Sequence, residues 1–181
     1  SFSQILPRDY NFDEARIVMR EMVLHGCHEL MRRRVITKKV SISVGYSKEV
    51  LPMVHGQTRL KSAVSVSSIM QPDVLALYDS ITNRTTPIRR LAINFCDVCS
   101  EDCQGYDFFT DWDAVDRERR REQAVLDMGH PDREIFLRHY WYAQTLPEIS
   151  ECMHLNLSTV KTRLRRGRLR LKELLTRWDV G

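Results

Sequence analysis

The chain has 181 residues, with 28 Lys or Arg against 24 Asp or Glu and a formal net charge of +4. With 43% apolar and 29% charged residues it reads as a globular chain, long enough for one ordinary domain or two small ones. A helical membrane span is excluded, because no apolar run reaches the ~18–20 residues one needs.

Charge is unevenly placed. From Asn156 to Gly181 there are eight Lys or Arg and two acids, and from Asp97 to Asp116 seven acids and no Lys or Arg. A basic end and an acidic middle suggest a nucleic-acid contact attached through a solvated connector; the alternative for the basic end is a solvated helix face. Ser1 to Tyr10 carry neither the basic start nor the apolar stretch of a secretory signal. With an odd number of Cys, at 27, 96, 99, 103 and 152, the expectation is reduced thiols and a cytoplasmic location. The first residue is not Met, which suits a fragment of something longer.

Residues 1–98 alternate helix and strand patterns. A short strand is expected at residues 2–6. A helix follows from about Phe12 to Arg34, with Asn11 as N-cap, Glu14 completing a capping box and Ile17, Leu24 and Met31 on one stripe. Arg32 to Arg34 fall in its last turn, where cations suit the helix dipole. Period-two alternation gives three strands. Val40, Ile42, Val44 and Tyr46 share a face in the first, Leu60, Ser62, Val64 and Val66 in the second, Leu91, Ile93 and Phe95 in the third. A helix from Ile69 to Thr82 lies between the last two, with Ser68 as N-cap and Gln71 three residues on. The order β-α-β-β-α-β predicts an α+β domain, both helices on one face of a four-stranded sheet.

The opposite face would carry Lys39, Ser41 and Ser43, then Arg59, Lys61, Ala63 and Ser65, then Arg90, Ala92 and Asn94. Such small, polar and basic side chains cannot form a second core. They suit a phosphate backbone, where cations and closely approached strands both help; the alternative is a plain solvent-facing surface.

The segment SFSQILPRDYNFDEARIVMREM, the helix ending HELMRRRVITKKVSISVGYS and the strand TPIRRLAINFCDV resemble the little finger of a Y-family (translesion) DNA polymerase. The likeness covers roughly residues 1–128. It implies that the open sheet face grips template-primer duplex, through Lys39, Arg59, Lys61 and Arg90. Nucleotidyl transfer needs clustered carboxylates holding two metal ions, and in that family they belong to a palm domain upstream. The acids before residue 100 are scattered, so no catalytic residue and no polymerase activity are expected. Family members often carry a clamp-binding motif near their C-terminus, of the form Gln-Leu-x-Leu-Phe. Here the stretch is Gly105-Tyr106-Asp107-Phe108-Phe109, with Gln104 one place too early. The match is partial: Tyr106, Phe108 and Phe109 either contact a sliding clamp or pack back on the domain.

Residues 113–178 read as helical throughout. Thr145 is the expected N-cap of a short helix opening Leu146-Pro147-Glu148-Ile149, and Met153 to Asn156 form a turn. A second helix from Ser158 to Trp178 carries Val160, Leu164, Gly167, Leu171, Leu174 and Leu175 on one side. Lys161, Arg165, Arg168 and Lys172 lie off it, and Leu169 points away. Ile149, Met153, Leu155, Leu157 and Val160 would lock the two helices as a helix-turn-helix, whose second helix can enter the major groove N-terminus first. Where many such turns have Gly, this chain has His154, a strained choice if φ is positive.

The segment PDREIFLRHYWYAQTLPEISECMHLNLSTVKTRLRRGRLRLKELL resembles region four of an extracytoplasmic-function-type sigma factor, over about residues 129–178. The resemblance implies recognition of the −35 promoter element and contact with the β-flap of RNA polymerase. Ser158, Thr159, Lys161, Thr162 and Arg165 would then face the groove, and Arg163, Arg166 and Arg168 would meet phosphates or the polymerase. Region two, needed by a working sigma factor, has no counterpart in the sequence.

Cys96, Cys99 and Cys103 resemble part of a zinc site. A structural zinc takes four ligands, and a fourth would have to come from His25, Cys27, His28 or elsewhere, so ordinary thiols and no metal are expected. No Gly-rich phosphate loop points to a cofactor. The expected organisation is a little-finger-like domain at 1–98, an acidic connector and helix at 99–128, and a helix-turn-helix domain at 129–181. Three functions remain in play: a sequence-specific transcription module, a sequence-neutral grip on (damaged) duplex from a non-catalytic piece of a repair polymerase, and an RNA polymerase interaction module.

Overall fold

A computed structural model describes residues 1–47, 51–103 and 110–179. They fall into two compact units, Ser1–Asp111 and Trp112–Gly181.

The first unit runs β1 (Phe2–Tyr10), α1 (Phe12–Arg32), β2 (Val35–Tyr46), β3 (Val54–Val64), α2 (Ser67–Ile81) and β4 (Ile88–Ser100), followed by a 3-10 turn at Glu101–Cys103. The sheet is antiparallel in the order β1-β4-β2-β3. This is the α+β arrangement expected. The capping box at Asn11 is present, with the Glu14 N–H donating to Asn11 Oδ1 at 2.9 Å and the Asn11 N–H to the Glu14 carboxylate at 3.0 Å.

Val40, Ile42, Val44 and Tyr46 point into the core as their alternation requires, as do Leu91 and Ile93. The stripe on α1 differs from expectation. Ile17 and Met31 are only half-buried, and the buried line passes through Ala15, Met19, Met22, Gly26 and Leu30. Small residues on that line let the helix approach the sheet, so spacing along the helix outweighs the size of the apolar side chain. The start of α2 also differs. Its N-cap is Val66, with no side-chain cap hydrogen bond, instead of Ser68. Val66, Met70 and Val74 are wholly buried one turn apart; burial of that face fixes where the helix begins and overrides capping preference.

The second unit comprises α3 (Trp112–Leu126), α4 (Asp132–Phe136) running on as a π-type turn (Leu137–Trp141), α5 (Leu146–Cys152) and α6 (Leu157–Asp179). Each of α3, α4 and α5 packs on α6. Val160, Leu164 and Gly167 are buried as the stripe predicts, Leu171, Leu174 and Leu175 are half-buried, and Leu169 is exposed. Among the described residues no helix is long and apolar enough to cross a membrane.

Two glycines mark the closest approaches. A Cβ added at Gly167 would lie 2.3 Å from the ring of Phe136, and one added at Gly26 would lie 2.2 Å from the ring of Phe95. Phe136 is 1% exposed and wedged in the core, whereas Phe95 is half-buried, edge-on to Phe2 with ring centres 6.1 Å apart. Gly167→Ala is therefore expected to destabilise the second unit by about 1–3 kcal/mol through overpacking, even after the roughly 1 kcal/mol that Ala gains in a helix. Gly26→Ala should cost the first unit distinctly less. All three Trp lie in the second unit, so urea unfolding followed by Trp fluorescence isolates that unit, with far-UV circular dichroism reporting both; an unshifted fluorescence midpoint for Gly167→Ala would contradict the packing argument.

Candidate nucleic-acid interfaces

In the first unit the register places side chains in rows across the open face. Lys39 lies opposite Arg59 on β3 and Cys96 on β4, and Ser41 opposite Gln57 and Asn94. Ser43 lies opposite His55 and Ala92, and Ala92 opposite Ser3. Gly45 lies opposite Arg90, which lies opposite Ile5 on β1. Lys39, Arg59 and Arg90 thus share one face. Lys61 is exposed, in the irregular stretch where the β2–β3 register shifts.

The rows hold no acid, and Lys39, Arg59, Lys61 and Arg90 make no ion pair among the described residues. Between the cations on β2 and β4 stand Ser41, Ser43, Ala92 and Asn94, small side chains over which a polyanion can approach the strands closely. Ser65, expected on this face, is instead buried at 1% exposure. β3 ends at Val64 and the chain turns toward α2, so alternation no longer applies there.

His55 and Gln57 belong to this face and were not foreseen. The Ser43 hydroxyl and His55 Nδ1 are 2.8 Å apart. The sequence signal was hidden because the inward positions preceding Leu60 are Thr58 and Gly56, which carry no large apolar side chain. The structure supplies the reason for Gly56: a Cβ there would lie 2.9 Å from Leu77 Cδ1 on α2.

In the second unit α5 opens on the expected cap. The Thr145 N–H donates to the Glu148 carboxylate at 2.6 Å, and the Glu148 N–H returns to Thr145 Oγ1 at 3.5 Å. The Thr145 backbone N–H, then its hydroxyl, hold the Glu148 carboxyl below its ordinary value. The turn into α6 is a Schellman closure. The Leu155 N–H donates to the Ser150 carbonyl at 3.0 Å and the His154 N–H to the Glu151 carbonyl at 3.3 Å. His154 takes the left-handed position that usually falls to Gly, at φ 53°. The Ser150 hydroxyl donates to the Leu155 carbonyl at 2.6 Å and fastens the turn. Asn156 then caps α6, its side chain accepting from the Ser158 N–H and hydroxyl, each at 2.9 Å. Ile149 and Val160 are fully buried where the two helices meet.

The cations of α6 divide into held and free. Arg163 donates to the Asp132 carboxylate on α4 at 2.9 Å. Arg168 donates to the Tyr140 hydroxyl at 2.6 Å, with its guanidinium 5.7 Å from the centre of that ring. Lys161, Arg165 and Arg166 are exposed and make no ion pair among the described residues. At helical spacing Ser158, Lys161, Thr162 and Arg165 form a stripe opposite the buried one. Thr159 and Arg166 turn to the flank, where with Ser158, Thr162, Arg163 and Asp132 they line a depression of about 310 Å³.

The stretch considered for a clamp contact, Gln104 with Tyr106, Phe108 and Phe109, lies outside the described residues. Among the described residues no group of three or more His, Cys, Asp or Glu is placed to hold a metal ion.

Residues 1–107 match the family model for the impB/mucB/samB family C-terminal domain, more than half of the chain. The chain belongs to the impB/mucB/samB family. A second family model, Sigma-70, region 4, matches residues 130–171, the segment beyond the impB/mucB/samB domain. Both resemblances read from the sequence therefore have a matching family. A solved structure described as the post-insertion binary complex of Dbh DNA polymerase matches at 10% identity with a TM-score of 0.40, covering 54% of this chain and 28% of that one. This chain thus spans under a third of that polymerase chain. No curated protein matches.

The turn geometry makes a prediction. An L-residue in the left-handed region carries a penalty of roughly 1–2 kcal/mol, partly offset because Gly loses more backbone freedom on folding. His154→Gly should therefore raise the stability of the second unit by up to about 1 kcal/mol, whereas His154→Ala should leave it unchanged or lower it. The Trp fluorescence midpoint in urea reads the difference; equal stability of the two variants would mean the turn is not strained.

Proposed function

We propose that the chain is a DNA-binding protein that acts by binding rather than catalysis, with α6 reading base edges in the major groove. On this reading residues 129–181 serve as a sigma region-four module for the −35 promoter element in transcription initiation, residues 1–98 as a duplex grip, and residues 99–128 as the acidic connector and helix between them. The observation that carries it is the outward stripe of α6. Lys161 and Arg165 project from it with no ion-pair partner among the described residues, on a helix fixed by a capped and fastened turn. Ser158, Thr159 and Thr162 lie alongside and offer hydroxyls. A bidentate Arg on a guanine edge is worth roughly 1–3 kcal/mol of discrimination, which gives Arg165 the largest share of specificity. Arg163 and Arg168 are oriented by Asp132 and Tyr140, and with Arg166 they serve phosphates or the RNA polymerase β-flap.

The second reading is a sequence-neutral grip on duplex, intact or damaged, by the sheet face of a translesion-polymerase little finger. Its support is the acid-free set of rows, with Lys39, Arg59, Lys61 and Arg90 in no ion pair among the described residues. The double-stranded DNA is shared by both readings; a sliding clamp would be a further partner through Tyr106, Phe108 and Phe109.

Selection of the purified chain on random duplex DNA separates the two. The first reading expects a short enriched motif that disappears in the Lys161→Ala, Arg165→Ala variant. Retention of DNA with no enriched motif would leave the sheet face as the principal contact and remove promoter recognition from this chain on its own. Persistence of an RNA polymerase pull-down after DNA binding is lost would instead favour an interaction module.

A further inference from the structure

The open sheet face is not uniform. One row, Cys96–Lys39–Arg59, is polar and basic. The row at the other end, Ile5–Arg90–Gly45, carries apolar side chains on both sides of its single cation. Ile5 is 66% exposed and Met53 39% exposed, both conspicuous for large apolar residues. Met53 belongs to this row by contact. A Cβ placed on Gly45 would lie 3.2 Å from Met53 Cε and 3.2 Å from Arg90 Cβ. The Met53 methyl therefore lies over the bare backbone of Gly45, next to the stem of Arg90, with Ile5 on the far side of the same arginine.

From this arrangement we infer that the Ile5–Arg90–Met53 row is a sugar-reading element that selects deoxyribose over ribose in a bound duplex. The inference rests on the reading of the sheet face as a duplex surface. Arg90 supplies the phosphate contact, and neighbouring strands are about 4.8 Å apart. A phosphate held by Arg90 thus has the adjoining sugars of the same nucleic-acid strand over Ile5 on one side and Met53 on the other. Deoxyribose presents a CH₂ to these side chains and gains by contact. Ribose presents a 2′-hydroxyl, which would lose water there and find only the weak thioether acceptor of Met53, and none on Ile5 or the cationic Arg90. Charge fixes the class of partner as a polyanion; the apolar pair flanking a single cation fixes its sugar.

The test uses the full chain in a Lys161→Ala, Arg165→Ala background, so that α6 contributes little. Fluorescence anisotropy at one salt concentration compares three duplexes of one sequence: DNA, RNA and 2′-fluoro RNA, which keeps the A-form helix but has no hydroxyl. RNA is expected to bind about tenfold more weakly than DNA, the cost of a buried unpaired hydroxyl, with the 2′-fluoro duplex close to DNA. Ile5→Ser with Met53→Ser should bring RNA to parity with DNA; both sites are exposed, so the fold is retained. Arg90→Ala should weaken all three alike. Rejection of the 2′-fluoro duplex along with RNA would show that helix form is read, and would overturn the inference. Equal binding of DNA and RNA that still depends on Lys39 and Arg59 would overturn the sugar contact alone. DNA affinity unaffected by Lys39→Ala, Arg59→Ala would bring down the duplex-surface reading and this inference with it.

Discussion

The second unit hangs on the place where the Phe136 ring enters the space left by Gly167. α6 is the element against which α3, α4 and α5 all pack, and its outer face carries the unpaired cations. Phe136 is fully enclosed, so its position sets how near α4 stands to α6. That distance in turn lets Asp132 reach Arg163, and brings Tyr140, at the end of the π-type turn, within reach of Arg168. A residue with a side chain at 167 would push the two helices apart and release both arginines together. The packing of the core and the charge pattern of the surface are therefore one arrangement.

The same coupling of packing to charge operates in the first unit by a different device. Its sheet has one face that buries Val40, Ile42, Val44, Leu91 and Ile93, and period-two alternation leaves mostly polar and cationic side chains for the other, with Ile5 and Met53 at one end. Leaving Lys39, Arg59 and Arg90 without an ion pair among the described residues costs little in water, because a solvated cation gains at most about 1 kcal/mol from a surface ion pair. Leaving them unpaired keeps their charge available for a polyanion and the release of its counterions. By contrast, two arginines that meet the helical side are paired. Arg16 meets Asp79 at 2.8 Å, tying α1 to α2, and Arg8 meets Glu14 at 2.6 Å.

Much of the fold was legible because its signals are local. The Asn11 and Thr145 capping boxes need only residues three apart, and the core strands need only alternation. The elements that escaped are those in which a distant contact outranks the local signal. Burial of Val66 displaced the expected cap at Ser68. The approach of Leu77 required Gly56, which erased the pattern that would have placed His55 and Gln57 on β3. At the candidate sites the residue types could be read from the sequence, but their partners could not. Asp132 and Tyr140 lie 31 and 28 positions from the arginines they hold, and no periodicity links them.

The division between held and free cations bears on how two modest modules can act in one chain. A face that grips phosphates without reading bases binds wherever duplex is found, and a helix that reads a few bases binds weakly alone. Joined covalently, engagement of one converts binding by the other into an intramolecular event, with an effective concentration set by the connecting chain rather than by the solution. The proposed grip thus need not be tight: its unpaired cations have only to keep α6 near DNA. Under that proposal specificity would rest on the few side chains of α6 that face outward. Holding Arg163 and Arg168 in place against Asp132 and Tyr140 would serve that end, because an arginine with a fixed direction positions a docked helix, whereas a mobile one adds affinity for every sequence alike.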